Sequence, residues 1–259
     1  MVQRKVDGSA GDADYGTIGG GYADYRRPEP RIAAVIERAL AGARTVINVG
    51  AGAGSYEPRE LEVTAVEPSA TMRAQRPAHL PVAIDAVAEA LPFPDDAFDA
   101  AMTTYSLHQW SDMEAGLREL RRVARGPVVV LTGDPDRVCD FWLHKYAPLM
   151  VETEAGRYPA IDRITEVLGG TAEVSPVPIP IDCTDGFIEA YYARPERLLD
   201  PAARKVCSAF SFVDAALVER YMDDLREAIE SGAWDERHGR LREQPAFDGS
   251  LVLIRALPA

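Results

Sequence analysis

The stretch that decides the fold is TVINVGAGAGSYEPRELEVTAVE, which runs from residue 45 to residue 67. Its β-branched apolar start predicts a buried strand over residues 45–49. Three alternate glycines follow, at Gly50, Gly52 and Gly54. They predict a tight turn whose backbone a ligand can approach closely. A second apolar run ends at Glu67, whose carboxylate can accept both hydroxyls of a ribose. The stretch therefore predicts a nucleoside-binding crevice at the carboxyl edge of a parallel sheet.

Glycine-rich turns of several kinds exist, and the spacing separates them. A dinucleotide-binding turn has the pattern Gly-x-Gly-x-x-Gly, whereas the sixth position here is Ser55. A phosphate-binding P-loop requires Gly-Lys-Ser/Thr, which is absent from this turn. The pattern Gly-x-Gly-x-Gly remains, and it is typical of S-adenosylmethionine methyltransferases. The alternative is an ordinary strand-to-helix turn in which the glycines serve packing alone.

Three later segments carry a resemblance to a known family. They are AEALPFPDDAFD at residues 88–99, LHQW at residues 107–110 and LRELRRV at residues 117–123. In this order and spacing they resemble the class I S-adenosylmethionine-dependent methyltransferases of the small-molecule group. The resemblance runs from about Tyr15 to Leu131. It implies a Rossmann-like fold and a methyl-transferring enzyme that binds S-adenosylmethionine and releases S-adenosylhomocysteine.

Two positions differ from the family pattern. Asn48 stands where the family usually has an acid, and an amide carries no charge for the methionine ammonium of the cofactor. Val87 stands where the family often has Asp, so Asp85 or the backbone is expected to reach the adenine amino group. Neither difference removes the ribose-binding acid, Glu67.

The resemblance implies a cofactor site made of both the core and an amino-terminal arm. In related methyltransferases an arm folds over the cofactor, and an arginine there suits the methionine carboxylate. Arg26 matches that residue best. The expected cofactor-binding residues are Tyr22, Arg26, Asn48, Gly50, Ala51, Gly52, Gly54, Glu67, Pro68, Met72, Asp85, Ala88, Glu89 and Tyr105.

The acceptor side of the site has one candidate for proton transfer. His108 follows the fourth predicted strand, at the mouth of the site, and imidazole titrates in the useful pH range. It serves either as a general base or as a residue that shapes the pocket. The expected acceptor-binding residues are His108, Trp110, Trp142, Tyr146, Phe187 and Tyr191. Because no His, Asp and Glu spacing fits a metal site, no metal is expected.

Composition limits the functional classes. The chain has 259 residues, of which 47% are apolar and 27% charged, as in ordinary globular proteins. Its net charge of -13 argues against nucleic acid and anionic lipid as partners. There is no signal core and no apolar run of about 18 residues, so neither export nor a membrane span is expected. Three widely spaced cysteines favour free thiols in a reducing cytoplasm.

The pattern of apolar segments predicts a doubly wound, mostly parallel seven-stranded α/β sheet with a helical cap inserted before the last strand. Strands are expected at residues 45–49, 61–67, 82–85, 98–104, 127–132, 174–181 and 250–255. Helices are expected at 32–40, 55–60, 69–75, 112–125 with Ser111 as N-cap, 138–151, 161–168, 187–192 and 213–231. Residues 1–30 would form the arm, 31–183 with 246–259 the core, and 184–245 the cap.

Three further functions stay open at this point. A methyltransferase of RNA or protein shares the same core, although the acidic balance disfavours RNA. A protein that binds S-adenosylmethionine without transferring its methyl group is the second alternative, and a nicotinamide oxidoreductase, disfavoured by Ser55, is the third. A small-molecule acceptor is the expected partner, and a monomer or homodimer is the expected assembly.

Overall fold

A six-stranded sheet forms the centre of the structure, a computed structural model that describes residues 4–11 and 22–259. The strands are β1 (Thr45–Val49), β2 (Glu62–Val66), β3 (Ala100–Thr104), β4 (Val128–Gly133), β5 (Thr171–Pro176), β6 (Ile179–Pro180), β7 (Ala246–Phe247) and β8 (Leu251–Leu257). The sheet order is β2-β1-β3-β4-β8-β5, and β6 pairs with β7 separately. Strands β1 to β4 are parallel, and β8 runs antiparallel to β4 and β5. The predicted doubly wound, mostly parallel fold is confirmed.

The sheet has six strands and not the predicted seven. The strand expected at residues 82–85 is reduced to a single bridge at Ile84, beside β2. The Ile84 N–H donates to the Ala65 carbonyl over 2.8 Å, and the Glu67 N–H donates to the Ile84 carbonyl over 3.0 Å. The preceding Pro81 has no N–H, and the Ala86 N–H turns back to the Ile84 carbonyl. Pairing therefore stops after one residue.

Short helices and turns surround the sheet. The α-helices of the described residues are α1 (Tyr22–Tyr25), α2 (Pro30–Ala39), α3 (Ala70–Arg73), α4 (Met113–Val123), α5 (Pro135–Val138), α6 (Pro148–Arg157), α7 (Ile161–Leu168), α8 (Pro201–Lys205), α9 (Ala215–Glu230) and α10 (Ala233–His238). Single 3-10 turns occur at Leu107–Gln109, Trp142–Lys145, Ile188–Tyr191, Pro195–Leu199, Ser208–Phe212 and Gly239–Glu243. No helix of this described part is long and apolar enough to cross a membrane.

The connection between β1 and β2 contradicts the predicted helix at residues 55–60. Turns replace that helix, because Tyr56 has a left-handed φ of 63° and Pro58 has no N–H to continue a helical ladder. The Tyr56 side chain is buried, which fixes the turn against the core. The glycine turn is consequently not followed by a helix N-terminus.

Two other helices differ from prediction. The N-cap of α4 is Asp112 and not Ser111, because the Asp112 carboxylate accepts a backbone N–H of the first turn. The Ser111 hydroxyl instead donates to Glu89 over 2.7 Å. The helix expected at residues 138–151 is divided into α5, a 3-10 turn and α6, since Pro148 begins a new helix.

Alternate residues of the central strands face two separate apolar layers, one on each side of the sheet. Val46 and Met102 face one layer, which contains α2 and the helical segments of residues 138–158 and 187–241. Ile47 and Ala101 face the opposite layer, which contains α4 and α7. Burial on both faces explains why the central strands are continuous apolar runs. The carboxyl ends of β1, β2 and β3 remain uncovered by these helices and form the site.

Candidate functional site

A cavity of about 870 Å³, counted with its open mouth, lies at the carboxyl ends of β1, β2 and β3. Eleven residues expected to bind the cofactor line this first cavity: Tyr22, Arg26, Gly50, Ala51, Gly52, Glu67, Pro68, Met72, Ala88, Glu89 and Tyr105. The chain thus brings together residues that lie up to 83 positions apart, which is the distance from Tyr22 to Tyr105.

The glycine turn forms the floor of the first cavity. Gly50 and Gly52 have φ of +69° and +51°, which glycine adopts without strain. A Cβ at Gly50 would lie 1.7 Å from the Ser106 hydroxyl, so a side chain is excluded there. Among the described residues, a Cβ at Gly52 would have one neighbour within 4 Å, the Met72 methyl, at 3.4 Å. The Gly52 side of the turn is therefore open for close approach by a ligand.

Gly50→Ala is expected to lower the free energy of unfolding by about 1–3 kcal/mol more than Gly42→Ala. Gly42 is a matched control, because its φ is +94° but nothing lies within 4 Å of a Cβ there. Both variants carry the backbone strain, and only Gly50→Ala adds the collision with Ser106. Urea denaturation of the two variants measures the difference. Equal losses would show that the turn is not packed against Ser106.

Glu67 lies at the end of β2 with 7% of its surface exposed. One carboxylate oxygen accepts the Gly52 N–H and the other accepts the Ser69 N–H, each over 2.8 Å. Burial raises the pKa of Glu67 above its ordinary value, and the two backbone donors oppose that shift. Each oxygen keeps a further lone pair. The carboxylate is thus fixed in position and can still accept hydroxyl groups from a ligand.

Three expected cofactor-binding residues lie outside the first cavity. Asn48 is fully buried, and its amide donates to Glu57 over 3.1 Å. Asp85 forms ion pairs with Arg73 and Arg4, which hold it away from the cavity wall. Gly54 is packed against the Leu80 and Arg76 side chains. The expected contact between Asp85 and an adenine is therefore not supported by its position.

Glu57 and Arg76 form a buried ion pair behind the glycine turn, over 2.8 Å. Their side chains are 1% and 4% exposed. Since Glu57 also accepts the Asn48 amide, the pair connects β1 to the segment that follows α3. This pair could not be predicted from the sequence, because two charged residues 19 positions apart have no periodic relation. The Glu57–Arg76 pair therefore stabilises the glycine turn.

The amino-terminal segment at residues 4–11 forms one wall of the first cavity through Ser9, Ala10 and Gly11. Hydrogen bonds fix it beside Glu67: the Ala70 N–H donates to the Asp7 carbonyl over 2.6 Å, and the Ser69 hydroxyl donates to the Asp7 carboxylate over 2.7 Å. The glycines expected to hinge the arm, residues 19–21, lie outside the described residues. The described part of the arm contacts the cavity on the Glu67 side.

A buried ion pair joins the arm to the segment after β6. The Arg26 guanidinium contacts the Asp185 carboxylate at 2.5 Å and 3.3 Å, and the Tyr56 hydroxyl donates to the same carboxylate over 2.8 Å. Asp185 is 1% exposed. The Arg26 guanidinium also lies over the rings of Tyr22 and Tyr105. The partner of Arg26 in this structure is thus a protein carboxylate, which the sequence analysis did not identify.

Behind the first cavity lies an inner chamber, which consists of two adjoining cavities of about 490 and 420 Å³, each counted with its opening to solvent. These two cavities share the side chains of Tyr105, Glu154, Tyr158, Phe187 and Ile188. Tyr22, Arg26 and Tyr105 line both the first cavity and the chamber. The two spaces therefore meet at these three residues.

Two of the expected acceptor-binding residues line the inner chamber. Phe187 lines both of its cavities, and His108 lines the smaller one, with its ring 4.9 Å from the ring of Tyr158. The Tyr158 hydroxyl donates to Glu154 over 3.0 Å, and Arg157 pairs with that carboxylate over 3.1 Å. Glu154 and Tyr158 were not among the expected site residues. A helical carboxylate such as Glu154 usually indicates a solvated surface.

The other expected acceptor-binding residues lie elsewhere. Trp110 lines the first cavity, where its indole N–H donates to the Ser106 hydroxyl over 2.9 Å. Trp142, Tyr146 and Tyr191 are buried among core side chains and line none of the described cavities. The Trp142 indole donates to the Tyr192 carbonyl over 2.9 Å, which satisfies it within the core. For these three residues the structure supports packing and not acceptor binding.

Tyr105 occupies the junction of the first cavity and the inner chamber. Its φ of +51° is strained for a bulky residue and directs the ring into the junction. Its buried hydroxyl has no hydrogen-bond partner among the described residues. The ring packs 5.4 Å from the ring of Phe187. A strained backbone and an unsatisfied hydroxyl at one position are features of ligand-contacting residues.

Comparison with known proteins agrees with this geometry. A family model described as a methyltransferase domain matches residues 47–130. The uncharacterized protein YafE of Escherichia coli is 36% identical over 84 residues, which are 30% of this chain and 40% of that protein. The malonyl-[acyl-carrier protein] O-methyltransferase of Halorhodospira halophila is 28% identical over 139 residues, which are 48% of this chain and 47% of that protein. The chain thus spans less than half the length of these two curated relatives.

A solved structure extends the similarity to most of the chain. A protein of Anabaena variabilis, described as a candidate methyltransferase from an antibiotic biosynthesis pathway, has a TM-score of 0.83 and 29% identity. The match covers 90% of this chain and 98% of that one. It includes the segments after β4, which the family model does not reach. Residues 47–130 therefore form a methyltransferase domain of the class I S-adenosylmethionine-dependent type, in a chain that is similar to a methyltransferase structure over 90% of its length.

Proposed function

We propose that this protein transfers the methyl group of S-adenosylmethionine to a small-molecule acceptor. The observation that carries the proposal is the junction at Tyr105, where the first cavity meets the inner chamber, whose larger cavity has mainly apolar walls. Two spaces that share a wall suit a donor and an acceptor that react in line. The Anabaena relative from antibiotic biosynthesis and the malonyl-carrier relative support an acceptor of low molecular weight.

The residues of the first cavity fit S-adenosylmethionine at its nucleoside end. Glu67 would accept the ribose hydroxyls, and the open face of Gly52 permits close approach. The adenine would lie against a wall formed by Ala88, Glu89 and the ring of Trp110. Gly116 makes room for this ring, because a Cβ at Gly116 would lie 2.4 Å from it. When bound, the cofactor supplies a methyl group activated by its sulfonium. The protein supplies position and exclusion of water.

The acceptor would occupy the inner chamber. Phe187, Ile188 and Tyr158 give it apolar walls, and the Tyr105 hydroxyl, which has no hydrogen-bond partner in the described part of the chain, lies at the end nearest the cofactor. His108 lies beside Tyr158 in the same chamber, within the space that an acceptor would fill. In this proposal His108 removes a proton from the attacking group of the acceptor.

His108→Ala is expected to lower kcat by roughly 100-fold and to flatten the acidic limb of the pH–rate profile, because the proton acceptor is removed. His144→Ala is the matched control, since His144 is paired with the exposed Glu152 and lines none of the described cavities. Full activity and an unaltered profile in His108→Ala would reduce His108 to a residue that shapes the chamber.

The proposal as a whole is tested with labelled cofactor. The protein, incubated with methyl-labelled S-adenosylmethionine and a fractionated metabolite extract, is expected to label a compound of low molecular weight. Thermal shift with S-adenosylhomocysteine, NADH and a short RNA is expected to show stabilisation by S-adenosylhomocysteine alone. Binding of S-adenosylhomocysteine with no labelled product from any fraction would favour a cofactor-binding protein without transfer activity. Stabilisation by RNA would favour a macromolecular acceptor.

A further inference from the structure

A buried carboxylate that the proposed reaction does not use, Glu189, lines the inner chamber. Glu189 is 8% exposed and lines the larger of the two cavities. Its oxygens accept the Ser250 N–H, each over 3.0 Å, and the Ser250 hydroxyl donates to one of them over 2.9 Å. The walls beside it are apolar: Val138, Phe141, Met150, Val151, Phe187 and Leu251. A carboxylate has about four acceptor positions, so Ser250 does not satisfy it.

Glu189 differs from the other charged groups of the chamber. Glu154 is paired with Arg157, and Arg26 is paired with Asp185. Glu189 forms no ion pair within the described chain, and the Arg137 guanidinium, which acts on it from a distance, donates to the Asp248 carbonyl. A buried carboxylate without a cation is costly. Burial raises the pKa of Glu189 to about 7. The chamber therefore has one carboxyl group without a cationic partner among the described residues.

We propose, on the basis of the proposed function, that Glu189 recognises the methyl acceptor and that this acceptor is an amine with an apolar body. Its ammonium group would pair with Glu189, and the rings of Phe141 and Phe187 would face the same end of the chamber. The apolar body would fill the space between Glu189 and Tyr105. The group that receives the methyl would then lie at the Tyr105 end, next to the first cavity.

The amine is recognised by a combination of features, none of which suffices alone. An apolar chamber without a charge would select only by size and shape. A carboxylate in open solvent would attract any cation weakly. Enclosed in apolar walls, Glu189 rejects acids, because two carboxylates cannot both be charged there, and prefers an ammonium to a hydroxyl. The chamber thus selects amines among apolar molecules of similar size.

The test uses three probes that share one chain and differ in the head group: hexylamine, hexanol and hexanoate. Calorimetry at pH 8, with and without S-adenosylhomocysteine, is expected to show that wild type binds hexylamine at least 10-fold more tightly than hexanol and does not bind hexanoate. Glu189→Gln is expected to weaken hexylamine binding by about 10-fold or more and to leave hexanol unaffected. Glu173→Gln, the same change on the exposed strand β5, is the matched control.

Equal affinity of wild type for hexylamine and hexanol would overturn the proposal, as would an unchanged hexylamine affinity in Glu189→Gln. If Glu189→Gln does not fold, a crystal structure of wild type with hexylamine tests the proposal instead. The hexylamine nitrogen beside Glu189 would support the proposal, and the same nitrogen elsewhere would contradict it. Failure of S-adenosylhomocysteine to bind would refute the proposed methyl transfer and leave the amine preference standing. Cofactor binding without amine preference would refute only the inference about Glu189.

Discussion

Replacing Asp185 with alanine is expected to lower the free energy of unfolding by about 3–5 kcal/mol. The change leaves the buried Arg26 guanidinium without its carboxylate and the Tyr56 hydroxyl without its acceptor. Asp182→Ala is the matched control, because Asp182 lies three residues earlier, is exposed, and pairs with Arg31 at the surface. That control should cost at most about 1 kcal/mol. Urea denaturation of both variants gives the two values.

A second comparison separates the destabilisation caused by breaking the ion pair from that caused by losing a side chain. Arg26→Met combined with Asp185→Leu removes both charges together, and the double variant should be less destabilised than Asp185→Ala. Comparable, small losses in Asp185→Ala and Asp182→Ala would contradict the conclusion that a buried pair joins the arm to the segment after β6. The comparison matters for function because Arg26 lines both the first cavity and the inner chamber.

The sheet and the first cavity could be predicted from the sequence because their signals are local. The run before Gly50 is β-branched and continuous, as in a strand buried on both faces, and it forms β1 with the predicted bounds. The glycines and Glu67 lie within 18 residues of one another, so their spacing alone placed them at one edge of the sheet. The expected strand at residues 82–85 failed for a local reason too: it follows Pro81, whose missing N–H limits pairing.

The inner chamber could not be predicted, because its residues are distant in the sequence and ambiguous in type. Arg26 and Asp185 are 159 residues apart, and nothing local connects them. Aromatic residues of the segment after β4 looked equivalent, yet Phe187 lines the chamber while Trp142 and Tyr191 fill the core. Glu189 lies in a short 3-10 turn, where a glutamate ordinarily faces solvent. Only the packing seen in the structure reveals that Glu189 is buried.

The central claim is that the first cavity holds S-adenosylmethionine with its ribose on Glu67. Glu67→Ala removes a charged acceptor for two hydroxyls and is expected to cost about 1.5–3 kcal/mol of binding free energy, which is roughly a 10- to 150-fold loss of affinity. Glu62→Ala, at the opposite and exposed end of β2, is the matched control and should bind as wild type does. Thermal unfolding shows whether each variant remains folded.

Isothermal titration calorimetry of S-adenosylhomocysteine with wild type, Glu62→Ala and Glu67→Ala tests this claim most directly. The account predicts equal affinities for wild type and Glu62→Ala and an affinity at least about 10-fold weaker for folded Glu67→Ala. Unchanged binding of S-adenosylhomocysteine by Glu67→Ala would contradict the account, since the ribose would then lie away from the end of β2.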